Sequence, residues 1–252
     1  MFLTRIAGPR TWEVGAVEVG HSAAFFPLVG AAIGASQWCL LWAILGIAGH
    51  AKQVFARPIA LPASVLSILI TAAGVWLTGA LHLDGVADMA DGFGGGRTRE
   101  DVLRIMRDHL IGSFGAVALI LVLALKFASI TVLIDRSKAL PYLIIAPALG
   151  RGSMVALGFF LPYARSVEGG LGGSFQYVGR LELLLSSSTA IAFAFLAGWR
   201  RGGVCVLVTL LASAWNARIC MRRIGGITGD TLGANSEICE ALILATGTIL
   251  SS

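Results

Sequence analysis

Charge is what this chain has little of. Only 13% of its 252 residues are Asp, Glu, Lys or Arg, roughly half the share in an ordinary soluble domain. Such a chain cannot present a mixed-charge surface to water, and with 56% hydrophobic residues and a mean hydropathy of +0.83 it would expose large adhesive patches there. Paired cysteines are lacking too. Cys39, Cys205, Cys220 and Cys239 form no CxxC and have no histidine at zinc spacing, so the four read as small apolar residues. No apolar h-region occupies residues 1–22, where Arg5, Arg10, Glu13 and Glu18 fall, so no cleaved signal peptide is expected. Internal repeats and low-complexity tracts are absent as well.

What is present is a series of apolar runs near the ~20 residues that cross a bilayer as a helix. Seven are predicted, near 23–47, 59–81, 110–134, 139–161, 183–199, 203–221 and 236–250. The expected fold is therefore all-α, a polytopic membrane bundle of about six to seven transmembrane helices forming a single domain over 1–252. Gly30 and Gly34 make a GxxxG within the first run, a sign of close helix packing. The net charge of +5 lies scattered through short loops, where it signals orientation rather than nucleic acid. The N-terminus and the segments 82–109, 162–182 and 222–235 carry ten basic residues, against six on the opposite side. That bias predicts a cytoplasmic N-terminus, and it gathers every chemically interesting loop on the cytoplasmic face.

The chemistry concentrates in HLDGVADMADGFGGG, residues 82–96. Asp84, Asp88 and Asp91 stand at i, i+4 and i+7, which places them on one face of a helix. Three such acids would repel one another and lose hydration near a bilayer, costs that a bound divalent cation removes. Carboxylates with retained water suit Mg²⁺. Gly92, Gly94, Gly95 and Gly96 could end the helix and let backbone amides approach a phosphate. Arg97, Arg99, Arg104 and Arg107 could pair with its oxygens. Asp101 and Asp108 repeat the seven-residue spacing. Acids for metal, glycine for close approach and arginine for anions imply a phosphate or pyrophosphate ester handled at a membrane surface. GGGRT is not a P-loop, because its Lys and preceding strand are lacking.

Other residues join more weakly. His82 and His109 bracket the acidic loop and could bind metal, shuttle a proton or contact phosphate. Residues 161–175 hold Arg165 and Glu168 before four glycines, a loop that could cover substrate. Asp230, Glu237 and Glu240 follow in residues 222–240, the two glutamates at the start of the last run, where they need a partner. Lys126 and Arg151 fall inside predicted spans; Lys126 is read as snorkelling or facing a polar interior, while Arg151 could face the site or not.

These motifs resemble one known family. HLDGVADMADGFGGG, RIMRDHLIGSFG, the PYARS and GLGGSF pieces and GGITGDTLGANSEICE are similar to the cobalamin synthases, the adenosylcobinamide-GDP ribazoletransferases. FLTRI and FFPLVGAAIG are similar too, so the resemblance runs along nearly the whole chain. It implies a multipass protein of the bacterial inner membrane that transfers adenosylcobinamide phosphate from adenosylcobinamide-GDP to α-ribazole or α-ribazole 5′-phosphate, with Mg²⁺ required and GMP released. The family's acidic motif falls on Asp84, Asp88 and Asp91, and a second on Met106, Arg107 and Asp108. His109 departs from it, where a small residue such as Ser is expected. With this implication the four acids Asp84, Asp88, Asp91 and Asp108 become metal ligands and catalytic residues, with Asp108 as a candidate base. Arg97, Arg107 and Arg165 become phosphate clamps, and His82, Gly94, Gly95, Gly96, Asp230, Glu237 and Glu240 become pocket residues. The oligomeric state stays open. The spaced aspartates are also similar to CDP-alcohol phosphotransferases, though the Ala-Arg after their second Asp is missing. A cation or proton transporter is the non-enzyme alternative, disfavoured because the acids sit at span ends.

Overall fold

The computed structural model describes residues 3–5, 15–55, 61–165 and 171–251. Among them no strand is present beyond an isolated bridge between Tyr163 and Ile227. The helices are α1 (Ala16–Ser22), α2 (Phe26–Phe55), α3 (Ala63–Thr78), α4 (Leu81–Gly95), α5 (Arg99–Ile105), α6 (Ser113–Asp135), α7 (Ala139–Phe160), α8 (Arg180–Ala194), α9 (Trp199–Ile224) and α10 (Gly229–Leu250).

Among the described residues five helical stretches are long and apolar enough to cross a membrane: Ala16–Ala48, Ser113–Asp135, Ala139–Phe160, Arg180–Ala197 and Trp199–Ile224. A sixth is reached if α3 and α4 count as one broken span. The molecule is an all-α multi-pass membrane bundle. Its lipid-facing sides carry exposed Trp42, Ile120, Leu184 and Leu211, whereas α7 is buried along most of its length.

Close approach explains the GxxxG. A β-carbon at Gly30 or Gly34 would run into the main chain of α7 at Pro147 or Leu143, so glycine sets the distance between α2 and α7. The run expected at 236–250 belongs to α10, which starts seven residues earlier and packs against α4, α6, α7 and α9. It is an internal helix rather than a lipid-facing one, and its asparagine is satisfied by neighbours. Asn235 donates to Ser153 Oγ at 2.8 Å and to Ser213 Oγ at 3.1 Å, and Asn216 donates to Asn235 at 3.3 Å.

The feature that positions the site is the junction of α3 and α4. Gly79 and Ala80 both take left-handed backbone (φ +67° and +61°), and the chain turns 89° between the two helices. The bend lets α4 pack along the first turns of α10 and α6, toward one end of the bundle.

Candidate active site

A cavity of about 310 Å³ opens at this end of the bundle, lined by Asp84, Asp88, Met106, Arg107, Asp108, His109, Arg165 and Asp230. Four separate pieces of chain supply it: α4, the turn after α5, the segment 162–165, and the first turn of α10. Gly85, between the two α4 acids, is what admits α10. A β-carbon there would lie 2.5 Å from the carbonyl oxygen of Asp230. α10 is started by Thr228, whose side chain accepts from the Thr231 amide at 3.3 Å while Thr231 Oγ1 accepts from the Thr228 amide at 2.8 Å. This reciprocal cap fixes where Asp230 stands.

The pieces are stitched by backbone and by two arginines. Ala164 donates to Ile227 O at 2.8 Å and Ile227 to Pro162 O at 2.9 Å. Arg99 spans α5, α9 and this segment through Ile224 O (2.8 Å) and Ala164 O (2.7 Å). Arg223 holds the end of α4 through Phe93 O (2.6 Å) and Gly96 O (2.7 Å). Both arginines therefore build the walls. Arg99, which the sequence suggested for phosphate, is committed to carbonyls, and the role of Arg223 had no signal in the sequence beyond its place at a helix end.

Several expected site residues stand elsewhere. Asp91 does not line the cavity. Its oxygens accept the amides of Gly112 (2.7 Å) and Gly115 (2.8 Å), satisfying orphan donors at the start of α6. It shares a helical face with Asp84 and Asp88, but α6 covers that face one turn further on. The glycine tract does not form a phosphate loop either. α4 continues to Gly95, and the glycines make room for Met106 at Gly92, Phe114 at Gly94 and Val102 at Gly96. Arg97 is exposed and outside the cavity lining. His82 is buried, with neither ring nitrogen bonded, and it packs on Gly233.

Glu237 and Glu240 do not line this cavity either. Lys126 donates to Glu237 at 2.6 Å and to Glu240 at 2.8 Å, and Arg151 donates to Glu240 at 2.5 Å. Four charges cancel inside the bundle, so Lys126 faces a polar interior and Arg151 is turned away from the cavity. Glu168, Gly169 and Gly170, expected in a covering loop, lie outside the described residues.

Electrostatically, the cavity sets four carboxylates against two guanidiniums, leaving two negative charges when all are ionised. Burial, with the nearby carboxylates of Asp84 and Asp230, pushes the Asp88 carboxyl up to about 7. Asp230 is bridged to Arg165 at 3.0 Å. Among the described residues no three His, Cys, Asp or Glu side chains form a ready-made cage for a metal ion. The donor set nonetheless fits Mg²⁺, which typically takes one or two carboxylates and completes its shell with water and substrate phosphates. The surplus of two negative charges matches one such ion.

A family model described as cobalamin-5-phosphate synthase matches residues 1–248. The chain belongs to that family. The cobalamin-5-phosphate synthase relatives it resembles include an adenosylcobinamide-GDP ribazoletransferase of Pseudomonas syringae pv. syringae, 41% identical over 239 residues, covering 92% of this chain and 90% of the relative. Another, from Syntrophobacter fumaroxidans, is 38% identical over 247 residues, covering 97% and 92%. No solved structure matches. As a cobalamin-5-phosphate synthase the chain is a transferase of cobalamin biosynthesis, which sets aside the transporter and the CDP-alcohol enzyme.

Proposed function

We propose that the chain transfers adenosylcobinamide phosphate from adenosylcobinamide-GDP to α-ribazole or α-ribazole 5′-phosphate, and that the cavity bounded by α4 and α10 is where it does so. The observation that carries this reading is the convergence of Asp84, Asp88, Asp108 and Asp230 with Arg107 and Arg165 around one opening.

The ribazole hydroxyl forms a new bond to the cobinamide-side phosphorus. The bond from that phosphorus to the bridging oxygen breaks, and GMP leaves with the electron pair. Arg107 and Arg165 bind the phosphate oxygens and fix the pyrophosphate for in-line attack. Asp108, held through its Oδ1 by the Leu110 amide at 3.1 Å, takes the hydroxyl proton. Asp84, Asp88 and Asp230 would hold Mg²⁺, which when bound neutralises charge developing on the pyrophosphate and the departing GMP. The basic bias of the loops around the cavity supports a position on the cytoplasmic side of the bacterial inner membrane.

The test is turnover by purified, liposome-reconstituted protein supplied with adenosylcobinamide-GDP and α-ribazole, with and without Mg²⁺. GMP and a cobalamin product should form only with the ion, and Asp88→Asn should abolish both. Product formation undiminished in the folded variant would sink the assignment of the cavity.

A further inference from the structure

The Arg165–Asp230 bridge lies inside the cavity, where a cation is needed but a guanidinium is the wrong one for the reaction. Arg165 uses one terminal nitrogen, Nη2, for Asp230 Oδ2 at 3.0 Å and for Met106 O at 3.4 Å. Its Nε is enclosed by protein and has no hydrogen-bond partner. A guanidinium offers five donors and cannot shed its charge, so this one is only partly committed. The backbone beside it is fixed, because Ala164 is held by Arg99 and by Ile227. Asp230 is fixed as well, by the Thr228 cap and by the contact at Gly85.

A divalent ion on the Asp230 carboxylate would meet the guanidinium at close range, and like charges in a partly buried cavity repel strongly. A pyrophosphate arriving with the ion offers the guanidinium a better partner, with paired N–H···O bonds. We propose that Arg165 is a cation stand-in: it neutralises Asp230 in the nucleotide-free enzyme, is displaced when the divalent ion binds, and then grips the pyrophosphate. This rests on the reading that the cavity binds a divalent ion. It adds that ion and pyrophosphate bind cooperatively through one side chain, each raising the affinity for the other by the same factor.

The experiment measures Mn²⁺ binding by electron paramagnetic resonance on the full chain in detergent, without nucleotide, then at matched free Mn²⁺ with pyrophosphate. Arg165→Gln removes the stand-in, so Mn²⁺ alone should bind more tightly, on the order of tenfold, the worth of one charge-assisted bond. Pyrophosphate should then enhance Mn²⁺ binding less than it does in the unmodified protein. Arg165→Lys keeps the charge and should leave the affinity for Mn²⁺ alone within about twofold, since screening between like charges is similar. Asp230→Asn should weaken Mn²⁺ binding and cancel the gain from Arg165→Gln. Unchanged or weaker Mn²⁺ binding by Arg165→Gln overturns the exchange while leaving the divalent site standing. No Mn²⁺ uptake by the unmodified protein, with or without pyrophosphate, overturns both.

Discussion

Asp88 and Asp91 are three residues apart and do opposite work. Asp88 faces other acids, and its charge is opposed by burial and by their repulsion, so Asp88→Asn should keep or raise the melting temperature in detergent while turnover falls about a hundredfold or more, as removal of a charge-stabilising group does. Asp91 bonds two amides at the start of α6, and Asp91→Ala should cost about 1–3 kcal/mol of stability. Its remaining folded fraction should still turn over, which thermal denaturation paired with an activity assay would show. An Asp91 variant that melts normally yet is dead would contradict this division. Titration gives a second expectation. The Asp88 carboxyl is pushed up to about 7, so in nucleotide-free protein it holds a proton below that pH and must lose it before coordinating a cation. Divalent affinity should fall about tenfold per unit as pH drops below 7 and level off above. Calorimetric Mg²⁺ titrations between pH 5.5 and 8.5 would check the sign; a flat profile would rule out Asp88 as a ligand.

At the scale of elements, the apolar runs located most of the helices, because length and hydropathy decide what can cross a bilayer. Gly30 and Gly34 likewise announced a close contact. The site was half legible. Register along α4 put Asp84, Asp88 and Asp91 on one face, but periodicity within a helix says nothing about which neighbour covers which turn, and α6 takes the last acid. Glycine misled for a related reason: GFGGG has the composition of a phosphate loop, yet its residues serve helix packing against Met106, Phe114 and Val102. Ala80 was invisible to any pattern. It holds left-handed backbone at the bend, a conformation costing a non-glycine residue roughly 1–2 kcal/mol. Ala80→Gly should therefore raise the unfolding free energy by up to about 1 kcal/mol, the backbone strain being offset by glycine's larger unfolded-state entropy. A lower melting temperature for that variant would mean the alanine methyl contributes more to packing than the strain removes.

At the scale of the molecule, two polar assemblies lie on the same helix. The first turn of α10 reaches the cavity through Asp230, and two turns later Glu237 and Glu240 close the ion network with Lys126 and Arg151. Glu240→Ala would leave Lys126 and Arg151 with a single counter-charge in a nearly dry interior, at a cost of about 3–5 kcal/mol. Denaturant titration of the micelle-bound protein should register it, and a loss under 1 kcal/mol would mean the network is hydrated. The position of α10 in the chain gives this arrangement a history as well as a shape. Its glutamates and asparagine are unsuited to lipid, and the helices that neutralise or bond them, α6, α7 and α9, all precede it from the ribosome. Insertion of α6, α7 and α9 must therefore leave a polar slot within the nascent bundle, and α10 fills that slot from the protein side instead of partitioning from the bilayer. The cavity gains Asp230 only at that moment, so packing of α10 completes its lining.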